Sequence, residues 1–176
     1  VTFHHVAIAT RDLDATHRFY TEVMGFELVK VVAGETLEGG WARHAFYDTH
    51  RGGLMAFWDI HDDTLADFNP SISKGLGLPA WTNHIAFDAP TLEDLDAMRR
   101  RWQDHGEKVV EINHGWCTSI YINDPNGIMV EFCTTTVDFT DADRAEAAAM
   151  LVAEKPELED SPAVIFHEPT TEPAPA

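Results

Sequence analysis

The sequence predicts an α+β fold of two βαβββ modules that bury their apolar faces together, followed by a C-terminal helix and tail. Three observations carry that prediction: a strand–helix motif written twice, a strand–hairpin motif written twice, and one carboxylate inside an apolar run. HVAIATRDLD from His5 and HIAFDAPTLE from His84 are each an alternating apolar run opened by histidine and followed by a helix signal. HAFYDTHRGGLMAFWD from His44 lies over TSIYINDPNGIMVEFC from Thr118 without a gap. Tyr47 then meets Tyr121, Gly53 meets Gly127, Met55 meets Met129 and Phe57 meets Glu131. Self-similarity on this scale marks a duplicated supersecondary unit.

The first module, residues 1–60, opens with a strand at His5 and continues into a helix whose inner face is Leu13, Thr16, Phe19/Tyr20 and Val23, with Gly25 as its C-terminal cap. Residues 61–81 carry Gly and Pro and are long enough for a lid or pocket wall. The second module, residues 82–136, repeats the plan. Leu92, Leu95, Met98 and Trp102 form its helix face, Thr91 and Asp94 a capping box, and Gly106 ends the helix. The DPNG stretch from Asp124 is a strong hairpin turn. In residues 137–176, Thr140 and Asp143 open an Ala-rich helix to about Glu154, and the Pro- and acid-rich remainder reads as a flexible tail.

A net charge of −18, from 30 acidic and 12 basic residues, argues against nucleic acid and anionic membranes as partners. The one basic cluster, Arg99-Arg100-Arg101, is flanked by acids within a helix and reads as a solvated face. No apolar run is long enough to span a bilayer and no signal-like segment opens the chain. Cys117 and Cys133 read as reduced thiols, so a cytoplasmic location is expected.

Glu131 stands between Val130 and Phe132 in a run that otherwise reads as a buried strand. A buried unpaired carboxylate costs several kcal/mol, so it needs an Arg or Lys, a proton or a metal ion. Superimposing the halves selects His5, Phe57, His84 and Glu131 as equivalent positions, and three of these can bind a metal. Two imidazoles and one carboxylate with open positions suit non-haem Fe(II) and its oxygen chemistry. Strand alternation turns His4 to the opposite face and excludes it. A single histidine on an apolar strand is more often an ordinary core or polar residue. The repeat-equivalent pair plus a carboxylate is what raises the metal reading above that.

The motifs HHVAIATRDL, GF, NHIAF and DPNGIMVEF, set in paired βαβββ modules, resemble the vicinal oxygen chelate superfamily over residues 3–135. That superfamily includes glyoxalase I, extradiol ring-cleavage dioxygenases, methylmalonyl-CoA epimerase and bleomycin- and fosfomycin-resistance proteins. The resemblance implies a cup of two curved sheets around one divalent metal held by His5, His84 and Glu131. Ile112-x-His114, then Ile120-Tyr121-x-x-Asp124-Pro125-x-Gly127-x-x-x-Glu131, is similar to the extradiol signature. It implies an Fe(II) enzyme acting on a catechol-like or other vicinal-oxygen aromatic, with His114 and Tyr121 hydrogen-bonding substrate and oxygen. Mn, Ni, Co or Zn would accompany the alternative, a glyoxalase-like lyase, isomerase or epimerase. Such enzymes typically add a fourth protein ligand where this chain has Phe57. A metal-free binding protein for an antibiotic or aromatic ligand is the third reading.

This chain departs from the extradiol pattern at one place. The acid/base histidine usual about fifteen residues before the second metal histidine is missing, since Asp67-Phe68-Asn69-Pro70 occupies that neighbourhood. His44 and His61 are its candidate replacements. The cup could close within one chain or by exchange of modules in a homodimer.

Overall fold

The computed structural model describes residues 3–171. Strand β1 (His5–Thr10) leads into helix α1 (Leu13–Arg18), which Asp12 caps by accepting the Ala15 N–H at 2.8 Å. A π-helical turn, Phe19–Val23, continues α1 and brings the consecutive residues Phe19 and Tyr20 both into the core. Strands β2 (Glu27–Glu35), β3 (Trp41–Asp48) and β4 (Leu54–His61) complete the first module. A short helix, α2 (Ile72–Gly75), lies between the modules. The second module comprises β5 (His84–Asp88), α3 (Leu92–Asp104), β6 (Val109–Asn113), β7 (Cys117–Asn123) and β8 (Met129–Thr135).

Each module folds into its own sheet. The strand orders are β1-β4-β3-β2 and β5-β8-β7-β6, with β1 parallel to β4 and β5 parallel to β8. One face of each sheet carries the helix. Tyr20 packs on Phe57 with ring centroids 4.5 Å apart, and Trp102 packs on Phe132 at 5.4 Å. The opposite face of each sheet has no helix over it, and on β1 and β5 its residues His5, Ala7, His84 and Ala86 are exposed. The two helix-bearing faces share one apolar core, joined where Phe26 meets Phe87 at 5.0 Å.

A buried polar clasp ties the modules. The Thr10 hydroxyl donates to Asn126 Oδ1 at 2.8 Å, and Asn126 Nδ2 donates to the Thr16 hydroxyl at 3.2 Å. Tyr20 donates to Oδ2 of the buried Asp124, whose Oδ1 accepts the Asn126 and Ile128 N–H groups. The DPNG turn therefore positions one module on the other besides reversing the chain.

Two expectations need correction. The gapless overlay of the hairpins is one residue out. His5 pairs with Leu54 while His84 pairs with Met129, so Ala56, not Phe57, is the counterpart of Glu131. The turn glycines give the reason: Gly52 and Gly127 both take a left-handed φ, of 85° and 71°, and Gly53 does not. The tail is also not wholly flexible. After α4 (Asp141–Val152), a strand β9 (Val164–His167) adds to the edge of β6, and His167 Nε2 meets Glu111 Oε2 at 2.8 Å. The alternating Val164 and Phe166 cover the pleat beside Ile112 and Val110, a signal too short to stand out between prolines. Residues 172–176 of that tail lie outside the described residues.

Candidate functional site

Glu131 sits on β8, 5% exposed, and Tyr121 lies directly opposite it on β7. His84, the first residue of β5, reaches it from the other side: His84 Nε2 is 3.1 Å from Glu131 Oε2. No Arg or Lys pairs with Glu131 among the described residues, so the histidine is its partner. The other ring nitrogen, Nδ1, lies 2.9 Å from the Trp81 carbonyl. A carbonyl only accepts, so Nδ1 carries the proton and a neutral His84 turns its Nε2 lone pair toward the carboxylate. Two acceptors that close require a cation between them, either a second ring proton or a metal ion.

His114, in the turn between β6 and β7, puts Nε2 2.9 Å from the Tyr121 hydroxyl. Burial, with the Glu131 carboxylate adding to it, pushes the Tyr121 hydroxyl up to about 12, so it keeps its proton and can donate. The His84 and Tyr121 rings are 6.4 Å apart, nearly perpendicular. These groups line a cavity of about 410 Å³ on the open face of the second sheet, walled by Trp81, Val110, Ile112 and Met129. The volume and apolar walls suit a small flat organic molecule, with His84, His114 and Tyr121 as its few polar contacts.

His5 lies elsewhere. It is on the open face of the first sheet, its ring 6.2 Å from that of His44 and 5.6 Å from that of Phe46. Among the described residues no three His, Cys, Asp or Glu side chains are grouped closely enough to hold a metal. His84 and Glu131 therefore fit a divalent cation by donor chemistry as a pair, and the structure does not bring His5 to them. His4 also departs from expectation. It precedes the strand in a bend, so alternation does not govern it, and its Nδ1 is 2.8 Å from that of His5.

The remaining candidates separate cleanly. Phe57 is fully buried against Tyr20 and Tyr47 on the helix side, away from any ligand position. Its replacement in the repeat, Ala56, also offers no donor. His61 shares the Phe57 parity; it pairs with Asp59 at 2.9 Å and stacks on Trp41 at 3.9 Å. His44 is on the open face beside His5, stacked 3.9 Å from Trp58, with its Nε2 buried and unpartnered. Burial lowers its pKa, and neighbouring His5 lowers it further. The Trp81 carbonyl escaped sequence reasoning altogether, since any residue type could supply it.

Two sheets of this topology, packed through their helix-bearing faces, are matched by one family of known proteins. The chain belongs to the Glyoxalase/Bleomycin resistance protein/Dioxygenase superfamily, whose family model matches residues 2–132. Among curated relatives, it is 31% identical over 134 residues to Biphenyl-2,3-diol 1,2-dioxygenase 3 of Rhodococcus globerulus, covering 72% of this chain and 60% of that protein. The chain thus spans about three fifths of the length of that relative. Solved structures share the fold. A glyoxylase/bleomycin resistance protein/dioxygenase domain from Frankia sp. EAN1pec has a TM-score of 0.56 at 22% identity, covering 74% of this chain and 94% of that one. A lactoylglutathione lyase from Agrobacterium tumefaciens has 0.52 at 25%, covering 76% and 92%.

Proposed function

We propose that the protein is an Fe(II)-dependent dioxygenase of extradiol type that cleaves a catechol-like aromatic. One observation carries the reading. His84 lines one apolar cavity together with the His114–Tyr121 pair, and Glu131 lies 3.1 Å from His84, so a candidate metal donor pair adjoins the candidate substrate donors. The likeness to a biphenyl-2,3-diol dioxygenase supports it.

His84 and Glu131 would hold the ion; His5, the repeat-equivalent of His84, is the third ligand that the family resemblance implies. Bound there, the metal would supply Lewis-acid and redox chemistry toward a vicinal diol and O2. The chain's own residues do the rest. The Trp81 carbonyl fixes the His84 tautomer and ring orientation, as partners of metal-bound histidines do. Tyr121, protonated at neutral pH, donates a hydrogen bond to a substrate oxygen as that oxygen gains charge. His114, 2.9 Å from the Tyr121 hydroxyl, orients it and would offer a second hydrogen-bonding group to substrate or oxygen. Trp81, Val110, Ile112 and Met129 hold the aromatic ring and exclude water.

The competing lyase or epimerase reading uses the same fold without oxygen. The first module offers only Ala56 where such enzymes add a fourth ligand, which supports the dioxygenase. The test is Fe(II) loading without air, followed by catechol and biphenyl-2,3-diol with and without O2. Turnover only with O2, giving a ring-opened product, is expected; equal turnover under strict anaerobiosis points to the lyase.

A further inference from the structure

We propose that strand β9 builds an apolar subsite beside the His84 cavity, in which Phe166 and Val164 take an uncharged hydrophobic substituent of the substrate; the inference rests on the catechol reading above. Strand register puts Phe166 in line with the polar groups of the site. Glu131 on β8 is opposite Tyr121 on β7, Tyr121 is opposite Val110 on β6, and Val110 is opposite Phe166 on β9. Residues directly opposite in a ladder point to the same face, so the row runs across the open side of the sheet. At the usual strand spacing Phe166 stands about 10 Å from Tyr121 and about 14 Å from Glu131. A ring held by its oxygens at the Glu131 and Tyr121 end lies over Val110, and a group on its far edge reaches Phe166. Val164, opposite Ile112, flanks that group.

The cavity wall on this side ends at Val110 and Ile112. Beyond them Val164 is 47% exposed and Phe166 60%. Covering the edge of β6 requires only the β9 backbone, and a merely solvated face favours polar side chains at these two positions. Exposed apolar patches of this kind mark interaction sites, ligand grooves among them, and this one continues a cavity. The strand is also held more firmly than an edge cover requires. On its opposite face His167 meets Glu111, and beyond it Gln103 Nε2 on α3 donates to the Glu168 carbonyl at 2.6 Å. The Thr170 N–H donates to the Gln103 carbonyl at 3.0 Å. These contacts fix the register that presents Phe166. Lys108 settles the charge of the substituent. Its ammonium lies 5.4 Å from the Phe166 ring centroid and 2.6 Å from Glu168 Oε1, so the cation beside the subsite is already neutralised. A carboxylated arm would have to displace Glu168, whereas an alkyl or aryl arm lies on Val110 and Phe166 with no pair to break. Because β9 follows both βαβββ modules, this wall is an addition to the repeated plan.

The test is calorimetry without air on the Fe(II)-loaded full chain, with catechol and with 3-phenylcatechol as ligands. The wild type should bind 3-phenylcatechol more tightly. Phe166→Ser should weaken 3-phenylcatechol about tenfold, the usual scale for losing an apolar contact in a pocket, and leave catechol nearly unchanged. Phe166→Leu, which keeps an apolar side chain, should restore most of the preference. Ile165→Ser, on the same strand but the other face, should change neither affinity. Equal weakening of both ligands by Phe166→Ser would overturn the subsite by making Phe166 a support of the cavity. The same selective loss in Ile165→Ser would overturn it by making β9 a structural cover alone. An unaltered preference in Phe166→Ser overturns it as well, and a changed sedimentation coefficient would then assign the face to a second copy of the chain. A wild type that binds neither compound removes the catechol reading itself, and the proposal with it.

Discussion

Nε2 of His84 and Oε2 of Glu131 lie 3.1 Å apart on one sheet face, and the Trp81 carbonyl decides which ring nitrogen faces the carboxylate. Removing His84 leaves the buried Glu131 without its partner, and removing Glu131 takes the one carboxylate from the pair. Glu131→Gln should therefore lose most bound metal on dialysis, measured by elemental analysis, while Phe57→Leu should keep it. A core change at Phe57 should instead lower stability by about 1 kcal/mol.

Tyr121→Phe deletes one hydroxyl and leaves the His84–Glu131 pair untouched. Metal content should stay at the wild-type level while turnover falls about 10²–10³-fold, the usual cost of one preorganised donor near developing charge. Loss of metal in this variant would assign Tyr121 a structural role.

All three tyrosines are shifted upward by burial, Tyr47 and Tyr121 to about 12, and Asp124 adds to the upward shift of the fully buried Tyr20. The unfolded chain ionises its tyrosines near pH 10, about the ordinary value. Above that pH the unfolded state releases protons that the folded state retains, so stability is complete below about 10 and falls as pH rises toward 12. In the folded protein absorbance of tyrosinate should appear well above the ordinary tyrosine range, near pH 12 for Tyr47 and Tyr121. A tyrosine titrating in the folded protein near its ordinary value would contradict the burial.

Asn126→Ala removes the centre of the clasp, and the buried Thr10 hydroxyl, Thr16 hydroxyl and Asp124 Oδ2 each lose one hydrogen-bond partner. A loss of about 1–3 kcal/mol in unfolding free energy is expected from removing these buried hydrogen bonds. Denaturant titration reads it directly, and an unchanged midpoint would show that the turn acts only locally.

The sequence exposed what is periodic and local. The alternating runs after His5 and His84, the caps at Thr91 and Thr140, and the helix face ending in Trp102 all lie where neighbours within a few residues decide the outcome. The one-residue slip arose because Gly52 and Gly53 are adjacent, and only backbone dihedrals tell which one turns the chain. Asp124 and Asn126 read as turn residues because their partners, Tyr20, Thr10 and Thr16, are more than a hundred positions away. Of the site, His84 and Glu131 were legible from the repeat of the two halves, and His114 with Tyr121 from the resemblance to the extradiol signature. The placement of His5 was not, since it depends on how two modules meet.

Strand β9 covers the edge of β6, which would otherwise present unpaired backbone groups. Truncation after Asp160 should increase concentration-dependent aggregation, followed by light scattering, with the His114–Tyr121 turn still folded. A truncated chain as soluble as the full one would show the edge is protected by other means.

Oxygen stoichiometry tests the central claim most directly. Iron-loaded protein and a catechol substrate should consume about one O2 per ring opened, in the manner of metal-assisted oxygen insertion, with no substrate lost in its absence. Substrate converted at an undiminished rate without oxygen, or oxygen consumed without ring opening, would contradict it.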